Sequence, residues 1–80
     1  MAVIDDLVSA GLSVTQAQGV VGVDAGTATA NDLVTQGMWA NAAATVVAEN
    51  AGTATVNDLV VAGFSDPQAA AIDAASNVTP

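Results

Sequence analysis

Eight carboxylates are the only acidic or basic side chains in this sequence: Asp5, Asp6, Asp24, Asp32, Glu49, Asp58, Asp66 and Asp73. His, Lys, Arg, Cys and Tyr are absent. General acid–base catalysis near neutral pH draws on His, Lys or a carboxyl group with a displaced pKa, and only the last is available here. Asp5 and Asp6 are adjacent, so on a helix they point about 100° apart. Nothing around them predicts the burial that would raise one pKa. Ser13 and Ser65 carry hydroxyls but have no base to activate them. Asp24, Glu49 and Asp73 offer oxygen ligands to a hard divalent cation, though without the loop spacing of an EF-hand. The expectation is a protein with no catalytic residue, no cofactor and no metal, which acts by binding.

Charge narrows the partner. The formal net charge is −8, all of one sign. Such a chain repels nucleic-acid phosphates and anionic membrane surfaces, and its electrostatic complement is a basic protein surface. The opening MAVIDDLVSAG has no cationic stretch of the kind that starts a signal peptide. No apolar run approaches the roughly 20 residues of a membrane span. Disorder is not expected despite the charge, because 52% of the residues are hydrophobic and their pattern recurs.

That recurrence organises the whole chain. GTATANDLV at Gly26 returns as GTATVNDLV at Gly52, an interval of 26 residues. A further step back by the same interval reaches IDDLVSAG at the N-terminus. In register stand Asp6, Asp32 and Asp58; Leu7, Leu33 and Leu59; and Gly11, Gly37 and Gly63. Leu12, Met38 and Phe64 form an apolar column, Ala17, Ala43 and Ala69 a small one, and Val20, Val46 and Ile72 a β-branched one. Residues 1–80 therefore read as one domain of three units, 4–29, 30–55 and 56–80. Repeats of this length build arrays in which each unit buries its apolar face on a neighbour.

Each unit spells a short helix, a glycine corner and a second helix. T-V-N-D at Thr55 and T-A-N-D at Thr29 are capping boxes with Asp in the usual Glu position, and that Asp also meets the favourable end of the helix dipole. Gly63 suits the left-handed position that ends a helix. S-D-P-Q at Ser65 then opens the second helix, with Pro67 in the first turn where its missing N–H costs nothing. S-V-T-Q at Ser13 does the same in the first unit. Val and Thr are abundant enough to suggest strands, but the caps and alanine runs outweigh them. The expected fold is all-α: three helix–corner–helix repeats stacked into one small domain, since helices this short need neighbours.

One position breaks the pattern. Where the first and third units have Ser13 and Ser65, the second has Trp39, the only Trp in the chain. Giving up a serine cap costs about 1 kcal/mol. Two roles stand open: Trp39 packs into the corner between its own helices or against an adjacent repeat, or it anchors a partner, as Trp does at binding hot spots. Met38 and Phe64 are the companion candidates for partner contact.

Two resemblances follow from these residues. DLVVAGFSDPQAAAI at Asp58–Ile72 resembles the first helix, GF corner and second helix of ubiquitin-associated (UBA) domains. That resemblance implies a small protein–protein interaction module with Gly63 and Phe64 at its contact. The chain departs from it in having Ala62 where Met is usual before the glycine, and in repeating the unit with no separate third helix. Over its whole length the chain looks like small repeat-bearing virion proteins of tailed bacteriophages, marine ones in particular. Their D-L-[VI]-x-x-G-[FLM]-x-x-x-Q-A unit matches Asp6–Ala17 and Asp58–Ala69, and Asp32–Ala43 with Ala42 in place of Gln. This resemblance implies a capsid decoration protein of cement or knob type, made in the host cytoplasm and carried on the virion surface. Its implied partners are the major capsid protein or neighbouring virion proteins, with self-association on the particle, and neither nucleic acid nor membrane. The start at Met1 adds the expectation of a free-standing chain rather than one module of a larger adaptor.

Overall fold

Thr29 and Asp32 show how the local chemistry becomes structure. The Thr29 main-chain N–H donates to the Asp32 carboxylate at 2.9 Å, and the Asp32 N–H donates back to the Thr29 hydroxyl at 3.4 Å. The same reciprocal pair forms between Thr55 and Asp58, and with glutamine between Ser13 and Gln16 and between Ser65 and Gln68. Four helix starts are thus fixed by their own side chains. In a computed structural model, described for residues 3–76, these starts belong to an all-helical chain: α1 Val3–Ser9, α2 Val14–Ala25, α3 Ala30–Thr35, α4 Ala40–Asn50, α5 Val56–Val61 and α6 Asp66–Ser76.

Glycine ends the first helix of each pair. Gly11, Gly37 and Gly63 have φ of 118°, 103° and 120°, a region that a β-branched side chain resists. Around each glycine the chain makes the same two bonds. At the second corner the Gly37 N–H reaches the Val34 carbonyl at 3.0 Å and the Met38 N–H reaches the Leu33 carbonyl at 3.1 Å. This is the Schellman arrangement, which brings the residue after the glycine back onto the helix it leaves. Leu12, Met38 and Phe64 are buried for that reason.

The three pairs close into a ring rather than stacking in a row. The longer helices α2, α4 and α6 pack on one another at the centre. Each short helix lies across two of them: α1 on α2 and α6, α3 on α4 and α2, α5 on α6 and α4. The first pair therefore meets the third, whereas an open stack would leave both ends bare. The extents of 27 × 25 × 23 Å are nearly equal, as a ring of three requires. Ala17, Ala43 and Ala69, all at 0% exposure, let the central helices approach at one end; Val20, Val46 and Ile72 fill the next layer. Leu7, Leu33 and Leu59, also at 0%, seal the seams between the short helices and the centre.

The seams are not identical. At the α2–α3 seam an added Cβ on Gly19 would overlap the Gln36 Oε1 and come within 2.8 Å of Leu33 Cδ2. At the matching α6–α1 seam, Gly19 becomes Ala71, two periods on, and Gln36 becomes Ala10, one period back. Gly19 thus makes room for a long side chain whose Oε1 is buried without a hydrogen-bond partner. Gly19→Ala should destabilise by about 1 kcal/mol, the overpacking exceeding the gain in helix propensity. Adding Gln36→Ala should recover part of the loss, because it removes the overlap with Gln36 and the unpaired oxygen while the close approach to Leu33 remains. Urea denaturation of the single and double variants checks this; additive effects would contradict the seam pairing.

Candidate functional site

The second unit carries the exception. Trp39 holds the N-cap position of α4 with extended backbone, φ −64° and ψ 149°, and no side-chain cap bond. It is 80% exposed. A side chain of this size gains nothing from water, and it displaces the serine that caps the equivalent helices. That exposure rules out packing into the corner between its own helices and against an adjacent repeat alike. Met38 and Phe64, the other two expected contact residues, are at 6% and 8% exposure. This corrects the expectation that they are surface contacts: the Schellman bonds turn both side chains inward, where they complete the core.

A groove lies between α4 and α5. Asn41, two residues after Trp39, lines one end of it and donates from Nδ2 to the Ala62 carbonyl at 3.4 Å. Ala44, Thr45, Ala48, Ala54 and Val61 make the walls, with Asp58 at the edge. Val61, at 78% exposure, is a large apolar side chain left in water here. The groove is shallow, apolar and open, and it holds no pair of groups able to move a proton between them. It suits apolar contact.

A different kind of site lies at the C-terminal ends of the central helices. Glu49 is 8% exposed and occupies the core layer shared with Val23 and Ala75. The Ser76 hydroxyl is 2.8 Å from Glu49 Oε1, and Asp73 hydrogen-bonds to the same carboxyl group. Burial first, and then the Asp73 bond, push Glu49 up to about 7, while the Ser76 hydroxyl pulls the other way. The burial of Glu49 was not anticipated from its own surroundings in sequence. The signal was the 26-residue period: Val23 and Ala75 face inward, and Glu49 stands between them in register. The remaining carboxylates divide differently. Asp32 and Asp58 are caps, and Asp5, Asp6 and Asp66 are exposed. Among the described residues, Asp24, Glu49 and Asp73 do not gather into a group of three able to hold a metal ion.

No helix among the described residues is long and apolar enough to cross a membrane. No protein-family model, curated protein or solved structure matches the chain.

Proposed function

We propose that this protein is a non-enzymatic virion structural protein that decorates the outside of a bacteriophage capsid, docking through the face that carries Trp39. The observation that carries the binding role is Trp39 itself: one unit of three gives up its cap and holds an indole in water. The capsid as partner follows from the resemblance of the D-L-V-x-x-G units to phage virion proteins. The charge of −8 suits an outer surface kept away from packaged DNA and drawn toward basic patches of the major capsid protein. Salt at seawater strength shortens electrostatic reach to a few ångströms, so the lasting contact is apolar. The reading as a UBA-like interaction module loses ground, because Phe64, the contact residue it implies, is buried.

The test mixes the purified protein with undecorated particles over a range of salt concentrations, and probes whole virions for it with surface-restricted protease. Attachment that survives high salt, together with cleavage on intact virions, is the expected result. Absence from virions, or protection inside the head with the DNA, would overturn this reading.

A further inference from the structure

The Glu49 cluster has more acceptors than hydrogens. The Ser76 hydroxyl lies 2.8 Å from Glu49 Oε1 and 2.8 Å from the main-chain oxygen of Asp73, and it has one hydrogen to give. If that hydrogen goes to the Asp73 carbonyl, which can only accept, the contact with Oε1 needs a proton on Glu49. If it goes to Oε1 instead, the 2.8 Å contact with the Asp73 carbonyl is left without a hydrogen. A proton on Glu49 Oε1 lets the hydroxyl turn to the Asp73 carbonyl and gives each contact its own hydrogen.

We propose that Glu49, Asp73 and Ser76 form a proton-operated latch, in which a shared proton holds the last turn of α6 against α4 and its loss lets that turn go. The cluster joins residues 27 positions apart at the end of α6, so it acts across two units of the ring. The surroundings sharpen the response. α2 brings Asp24, next to the Val23 carbonyl that accepts from Asn50 Nδ2 at 3.4 Å. On α3 and α5, Asp32 and Asp58 are committed to Thr29 and Thr55. Asp66 is exposed at the far end of α6, and Asp5 and Asp6 are exposed on α1, which packs on α6. Every one of these groups is acidic, and the chain has no cationic side chain. Once both carboxyls ionise, no Lys, Arg or His side chain exists to neutralise them, and two like charges must separate or reach water.

The sign of the effect follows. Glu49 binds its proton more tightly in the folded protein than in the unfolded chain, where its ordinary value is 4.5. The extra stability is fully present below that value and is lost as pH rises through about 7. The experiment is a carboxyl-carbon NMR titration of the full chain, read alongside amide exchange in α6 corrected for its intrinsic pH dependence. Glu49 should titrate well above its ordinary value of 4.5, and protection at Ala75 and Ser76 should fall about tenfold or more through that transition. The melting temperature should drop by about 5 °C or more between pH 5.5 and 8.5. In Glu49→Gln, which cannot ionise, that slope should flatten. Titration of Glu49 near its ordinary value of 4.5, or α6 protection that ignores its ionisation, overturns the latch. If Glu49→Gln fails to fold, the titration of the unaltered chain decides alone.

Discussion

Trp39→Ser should make the protein more stable and worse at its work. The substitution restores the residue found at Ser13 and Ser65, whose hydroxyls accept from the N–H three residues on at 3.0 and 3.2 Å. The α4 start makes no such bond, so the serine should add about 1 kcal/mol to the folding free energy. Nothing in the core is lost, because Trp39 is 80% exposed and is not part of the buried cluster. Attachment to capsids should weaken by about 30-fold or more, the range of an aromatic hot-spot residue. Denaturant unfolding and particle binding, measured on one preparation, check the two halves together. Trp39→Ala should lose the binding without the gain in stability. A stability loss in Trp39→Ser, or unchanged binding, would show that the indole serves something other than a partner.

Leu33→Ala should remove a large share of the folding free energy. Leu33 is at 0% exposure, under the α2–α3 seam. Truncating a leucine at such a site costs about 3 kcal/mol, the cavity term included. For 80 residues the whole folding free energy is roughly 4–12 kcal/mol. Ring closure makes a further demand. In an open stack the terminal units hold fewer contacts, so Leu7→Ala would be milder than Leu33→Ala. In the closed ring α1 packs on both α2 and α6, and Leu7, Leu33 and Leu59 are equally buried. All three variants should therefore fall within about 1 kcal/mol of one another. Urea midpoints of the three show which is true; a clearly weaker effect at Leu7 would mean that the ring opens in solution.

Much of this fold was readable from local chemistry. Thr29-x-x-Asp32 and Ser65-x-x-Gln68 state their helix starts in four residues, because the reciprocal bonds reach no further than that. Gly37 states its corner because few other residues tolerate its φ. Ring closure was not readable: an apolar stripe on α6 is equally content against α4 alone or against α1, α2 and α4 together. The exposed and buried aromatics were not separable by type either. Phe64 and Trp39 both follow a corner glycine, but Phe64 follows it directly and takes the inward Schellman position, while Trp39 comes one residue later and takes the cap. That single step along the chain decides between core and surface. Glu49 was hidden because a charged residue in a helical run is ordinarily read as solvated; only its register with Val23 and Ala75 marked it as interior.

The central claim is that Trp39 is held in water in order to be buried by a partner, and as the only Trp in the chain it reports its own surroundings. The direct measurement is its emission spectrum, first in the isolated protein and then on addition of undecorated capsids. The account predicts the long-wavelength emission of a solvated indole, resistant to change on unfolding in urea, and a blue shift that saturates with capsid binding. A blue emission in the free protein, or capsid-bound protein whose emission remains that of a solvated indole, would contradict it.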